Sequence, residues 1–303
     1  MYFILTTDVE LTSIPLNKPV PEMAEKVLKI GLPRILDLYS KYDVKGTFFF
    51  TGKIVEIEPK VVHIVEERGH EIACHGYTHY STEGFDTMPY VRQVEYLRKA
   101  KRIIEKEAGN IVSFRSPELR IGKDTVKALE ETGFEIDCSI ASQRFDGPMS
   151  YGSYNKLKWL LAPRRPYYLS YNSPFKPGNS NIFEIPLSAL VLPYIGSFMR
   201  ISPKLFRMLE NALFKEGKNA DKPLVFLFHP NECICGEAKE RNLFSKGLAG
   251  KLRDEIRQDL KLRNLGIPAV RILENTLKRA KEEGFEFVSV KEFRDIWKGG
   301  MDQ

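Results

Sequence analysis

Two histidines four residues apart, His75 and His79, stand in residues 71–80, EIACHGYTHY, and the whole chain has only 5 histidines. Residues four apart share a helical face, so both imidazoles can converge on one ion if the chain turns as it leaves the apolar run before them. The alternative is a pair of ordinary surface histidines at a strand end. A hydrolytic ion needs a third protein ligand and an open position for water. Near the N-terminus, Asp8 and Glu10 offer carboxylates. In an extended strand, residues i and i+2 point the same way, so both can reach one site. Their spacing leaves open which would ligate, and a solvated turn or a helix cap is the alternative. A later histidine, His229, closes the apolar run LVFLF at 224–228. In isolation that placement suits a hydrogen-bonded structural histidine.

The elements that must position these side chains follow a regular alternation. Residues 2–7 are apolar and β-branched, a buried strand ending on Asp8-Val9-Glu10. After a polar loop, Met23, Val27, Leu28, Ile30, Leu32, Ile35, Leu36 and Leu38 recur at helical spacing, with Pro33 threatening a kink. GTFFFTG at 46–52 reads as a strand, 59–68 as a helix stopped by Gly69, and the next strand delivers the histidines. Helices at 91–107 and 123–132 alternate with strands at 111–114 and 134–138. Later come strands at 183–187, 224–228 and 285–290, and helices at 203–214 and 267–283. Strand, helix and short connection repeated in this way predict parallel strands, in a barrel or a doubly wound sheet. Every polar constellation falls just after a strand, the edge where both architectures place their sites.

Two stretches break the rhythm. Residues 141–181 are rich in Tyr, Pro, Ser and Arg and read as an ordered loop excursion. Their aromatics suit stacking on sugar rings, or equally packing over the barrel. Residues 237–265 are charged and helix-forming, a solvated face or flap. With no internal repeat or linker, a single domain over 1–303 is expected.

Composition narrows the function classes. The 303 residues are 43% hydrophobic and 28% charged, a balance typical of soluble globular chains. The net charge of +6 comes from 46 basic against 40 acidic residues scattered along the chain. No concentrated basic stripe supports nucleic-acid binding. No apolar run approaches the roughly eighteen residues of a membrane span. Met1 runs straight into a strand without a leader pattern, so a cytoplasmic protein is expected. Cys74, Cys138, Cys233 and Cys235 suit that compartment as free thiols.

In order, the features after the strands are TTDVE, GTFFFTG, HEIACHGYTH, FRSP, IDCS and FLFHP. This series resembles the NodB-type polysaccharide deacetylases, carbohydrate esterase family 4, in a D-x-E variant. The likeness implies an α/β fold, a distorted (β/α) barrel of about seven strands. It further implies that Asp8 is the catalytic base and that Glu10, His75 and His79 ligate the metal. Arg115, ahead of Pro117, would hold the base ionised, and His229 would be the general acid. Asp137, or Ser139, would support the site. Glu10 stands for the usual aspartate, and Glu118 where the family often has an aromatic residue.

The chemistry fits amide hydrolysis. An ion on Glu10, His75 and His79 polarises the carbonyl and acidifies water. Asp8 takes the proton with Arg115 beside it, and His229 protonates the departing amine. A backbone N–H just after Pro117 would steady the oxyanion. Zinc suits the ligand set, with cobalt, manganese or nickel compatible. The expected substrate is an N-acetylated amino-sugar, glycan or sugar-linked intermediate. A hydrolase of cyclic ureides, or a non-catalytic glycan-binding relative, is the alternative.

Overall fold

The computed structural model describes residues 1–145, 156–220, 222–235 and 259–301. The strand core is one curled sheet. Its strands are β1 (Tyr2–Val9), β2 (Thr47–Phe50), β3 (Glu71–Cys74), β4 (Ser113–Phe114), β5 (Ile136–Asp137), β6 (Tyr167–Ser170), β7 (Ser173–Pro177), β8 (Phe183–Glu184), β9 (Leu224–Phe228) and β10 (Glu286–Phe287). Their order is β9-β1-β2-β3-β4-β5-β8-β6-β7, with β10 also pairing β1. From β9 round to β8 every pairing is parallel. This is an irregular (β/α) barrel, one of the two architectures that the alternation of elements leaves open and the one that the resemblance implies, and β1 pairs with three neighbours, β9, β2 and β10.

Closure is incomplete and irregular. After β8 the chain runs back towards β9. There Ser188 donates its backbone N–H to the Val225 carbonyl at 3.1 Å, and its hydroxyl accepts from the Val225 N–H at 3.0 Å. A bridge between Ile195 and Leu227 continues the contact. Helices cover the outside, and β1, β2 and β9 are buried along nearly their whole length, covered on both faces. In the helix Leu32–Lys41 the buried residues Leu32, Ile35, Leu36 and Tyr39 form the inner stripe. The expected Pro33 kink takes a specific form. A π-helical turn, Val27–Gly31, precedes the proline and closes with the Leu32 N–H on the Val27 carbonyl. Proline lacks an N–H and crowds the preceding turn, and a widened turn absorbs both defects. The buried apolar side chains form one continuous cluster.

The excursion at 141–181 departs from the expected loop. Its described part contains the antiparallel hairpin β6–β7, which joins the sheet through β8. The prolines mislead because β7 lies at the sheet edge, where a missing N–H costs no ladder bond, and the Pro174 carbonyl accepts from the Tyr167 hydroxyl at 2.8 Å. Trp159, Tyr167 and Phe175 are buried, so these aromatics pack rather than present a stacking surface. Residues 146–155, and 237–258 of the expected charged insertion, lie outside the described residues.

Candidate metal and catalytic centre

Register places the site. Val9, Phe50, Cys74, Phe114 and Asp137 lie in one row across neighbouring strands. The next residue along each strand is Glu10, Thr51, His75, Arg115 and Cys138, so three of the expected residues meet at one level of the carboxyl edge. Thr7 pairs with Phe228, which puts Asp8 beside His229. Gly76, with φ of 72°, then turns the chain so that His79 comes back over His75, their ring centroids 5.4 Å apart. A Cβ at Gly76 would stand 3.1 Å from the Pro117 ring, so the histidine loop and the Arg115-Ser116-Pro117 turn pack directly together.

Glu10, His75 and His79 can each offer one donor atom within 4.8 Å of the others. His79 Nε2 is 2.9 Å from Glu10 Oε2, and His75 Nε2 is 3.9 Å from the same oxygen. The Nδ1–H of His75 donates to the Arg115 carbonyl at 2.9 Å. That bond fixes the tautomer and turns the Nε2 lone pair towards the carboxylates, as outer-shell bonds do for metal-binding histidines. Buried His75 Nε2 has no hydrogen-bond partner, and Glu10 Oε2 meets only the His79 ring. An orphaned buried nitrogen is costly unless something fills the space it faces, and a divalent ion of nitrogen and oxygen preference fits the set.

Electrostatics agree with that fit. Burial alone would raise the Glu10 carboxyl, but the imidazoles of His79, His229 and His75 outweigh it and hold Glu10 at about 2. Burial pushes His75 down, keeping it neutral and able to ligate. For His79, burial acts downward, yet Glu10 raises it overall.

Asp8 lies beside the cluster, 3.6 Å from His75 Nε2 through Oδ2. Its Oδ1 accepts from Arg115 Nη1 at 2.9 Å. Arg115 is completely buried, donates also to the Thr6 hydroxyl and the Cys138 carbonyl, and stacks 4.4 Å from the Phe49 ring centroid. A guanidinium tied at so many points holds the carboxylate in a single orientation. Beyond it, Pro117–Leu119 forms a tight turn with Glu118 at φ 55° and Leu119 at φ 57°. Two successive non-glycine residues in the left-handed region are strained, and such strain is concentrated at functional sites. The turn uses the N–H groups of Leu119 and Arg120 in its own hydrogen bonds.

The structure gathers Asp8, Glu10, His75, His79, Arg115 and His229 and leaves Asp137 below them. Asp137 lies within its strand, one row under Arg115, and accepts from the Ser139 hydroxyl. Its register partner is Glu184 on β8, and both are fully buried. Burial raises both carboxyls, and the facing Asp137 raises Glu184 further. Ser139 Oγ in turn accepts the Ser116 N–H at 2.8 Å, so the Asp137–Ser139 pair reaches the site through the Arg115-Ser116-Pro117 turn and not by direct contact with the cluster. The carboxylate facing His229 is Glu232, with Oε2 3.6 Å from Nδ1. Its three-residue spacing from His229, across a proline, was the available signal.

A (β/α) barrel edge that brings a carboxylate and two imidazoles together beside an arginine-held aspartate has the donor set for a divalent ion next to a base. The family model described as "Polysaccharide deacetylase" matches residues 29–136, taking in His75, His79 and Arg115. The chain is 27% identical to the peptidoglycan deacetylase of Helicobacter pylori over 224 residues, 66% of this chain and 75% of that protein. Among solved structures, a "probable polysaccharide deacetylase" from Pseudomonas aeruginosa PAO1 superposes with a TM-score of 0.60 at 17% identity, covering 97% of this chain and 90% of the other. An allantoinase, PuuE, superposes at 0.61 with 18% identity, covering 98% and 90%. Both structural likenesses establish the fold alone. The family match over residues 29–136 and the similarity to a curated peptidoglycan deacetylase support a NodB-type polysaccharide deacetylase.

Proposed function

We propose that this protein is a metal-dependent hydrolase that removes N-acetyl groups from an amino-sugar, a glycan or a sugar-linked intermediate. The observation that carries the reading is the Glu10, His75 and His79 cluster set against the Asp8–Arg115 pair. Glu10, His75 and His79 would hold the ion, for which zinc is the best suited candidate. When bound, it supplies Lewis acidity towards a carbonyl oxygen and makes water more acidic.

The chain's own residues do the rest. Asp8, its orientation fixed by Arg115, accepts the proton of the attacking water at Oδ2, the oxygen that Arg115 does not hold. The N–H of Glu118, which the Pro117–Leu119 turn does not use, is the donor for the developing oxyanion. His229 carries the proton to the departing nitrogen. Burial lowers its affinity, but Glu232, Glu10 and Asp8 outweigh this and raise it to about 9, so it starts protonated at neutral pH. Beside His79 a cavity of about 50 Å³, lined by Leu11, Val20, Ile57, Lys53 and Tyr80 among others, adjoins the centre. The whole chain would act as one domain. Its free cysteines suit a reducing compartment such as the cytoplasm.

The test is acetate release by the zinc-loaded protein from a panel of N-acetylated amino-sugars, chitin and peptidoglycan oligomers and sugar nucleotides, run beside cyclic ureides. Acetate from any N-acetyl sugar supports the reading. Ring opening of a ureide with no acetate from the sugars would overturn it.

A further inference from the structure

Resting on that reading, we propose that Glu232 is the positioning residue of the general acid, holding the His229 imidazole with Nδ1–H towards its carboxylate and Nε2–H free for the leaving amine. The geometry comes from a short turn, Pro230–Cys233, that brings residue 232 back over residue 229. Glu232 Oε2 accepts the His229 backbone N–H at 3.2 Å and faces Nδ1 at 3.6 Å. One carboxylate oxygen therefore fixes both the start of the turn and one side of the ring.

The carboxylate is itself held. Arg200 Nε donates to Oε1 at 2.8 Å, and both side chains are nearly fully buried. Arg200 is anchored in turn by the carbonyls of Lys261 and Arg263, while the Glu232 carbonyl accepts from the Gly266 N–H at 2.9 Å. The fold also leaves room for the carboxylate: a Cβ at Gly196 would stand 2.1 Å from Glu232 Oε2. A glycine placed where only hydrogen fits, an arginine on one oxygen and a histidine on the other make a built seat. The alternative support, Asp137, is occupied by Ser139 and Glu184. Glu232 keeps a negative charge because Arg200 and His229 together outweigh its burial. A charged acceptor at Nδ1 favours the doubly protonated ring, the form a general acid requires.

The experiment compares zinc-loaded wild type, Glu232→Gln and Glu232→Asp on two substrates. One is an N-acetylated amino-sugar oligomer, whose amine must be protonated to leave. The other is 4-nitrophenyl acetate, whose phenolate leaves without a proton. For Glu232→Gln the expected result is a fall in kcat on the amide on the order of 100-fold, with KM and ester cleavage changed by less than about threefold. Glu232→Asp retains Arg200's partner with a shorter reach and should fall in between, which keeps the test sound if Glu232→Gln folds poorly. Equal losses on both substrates, or no loss on the amide, would overturn the assignment. If the wild type cleaves neither substrate, the proposed function fails, and the seat is still read by NMR titration of the His229 imidazole, assigned with His229→Gln. Against the unchanged influence of Glu10, Asp8 and His79, its pKa should drop by about one unit or more in Glu232→Gln. An unchanged value would sink the proposal.

Discussion

The division of labour between Asp8 and its neighbour two residues on is the decision made at the scale of single residues. Both carboxylates sit at the end of one strand and both are buried, yet they meet different company. Asp8 Oδ1 is bound by Arg115, while Glu10 faces two imidazoles. The longer glutamate reaches past the strand end to the histidines; the aspartate stays beside the arginine. Asp8→Asn should therefore retain the ion and lose turnover by a factor of about 100 or more, the usual worth of a positioned base. His75→Ala should lose both. Elemental analysis after dialysis, beside acetate release, separates the two outcomes. Metal loss in Asp8→Asn, or full turnover by it, would remove the role assigned to this aspartate.

At the scale of elements, the site depends on how the loop after β3 is held. Gly76 takes a backbone conformation that L side chains resist, and its α-carbon lies against the Pro117 ring. Gly76→Ala should lower stability by about 1–2 kcal/mol from the left-handed backbone alone, and loosen zinc retention by displacing His79 relative to His75. Denaturant unfolding and competition with a metal-chelating dye would measure the two effects. At the other end of β3, His70 accepts the Gly46 N–H at 3.3 Å and packs against Phe48 and Tyr39. Burial, reinforced by Arg68 and Lys45, lowers its pKa from 6.5 to about 4. The unfolded chain then binds the proton more tightly than the folded one, so stability rises with pH between about 4 and 6.5 and is lost on acidification through that window. Between pH 7 and pH 5 this single group should cost about 2 kcal/mol. In His70→Gln the pH dependence of unfolding should be shallower by that amount. An identical slope would show that His70 does not titrate as its burial implies.

For the whole molecule, the ion would join segments far apart in sequence, because Glu10 directly follows the first strand and His75 and His79 follow the third. A ligand that binds only the folded state adds stability by mass action, about 2.7 kcal/mol at a free concentration 100 times its Kd. Treatment with a chelator should lower Tm by several degrees, and zinc should restore it. The double substitution His75→Ala/His79→Ala should be insensitive to both treatments. No helix of the described residues is long and apolar enough to cross a membrane, and the core is one continuous cluster.

Much of this was legible in the sequence, and for definite reasons. Alternation of apolar runs with helical periodicity is a local property, so the parallel (β/α) architecture could be read without coordinates. So could the strand-end location of Asp8, Glu10, His75, Arg115 and His229, because each follows its apolar run directly. Row and partner were not legible. Whether an acid at a strand end points into the site or lies one row below depends on the register between strands distant in sequence. That register sends Asp137 to Glu184, whereas the local Pro230–Cys233 turn brings Glu232 to His229. The hairpin β6–β7 was hidden because its prolines are tolerated only at a sheet edge, and edge position is a tertiary fact. The sequence by itself determined which side chains could do the chemistry and on which edge of the sheet they would stand. The tertiary structure alone decided which of them touch, since contact depends on strand register, the Gly76 turn and the space left at Gly196.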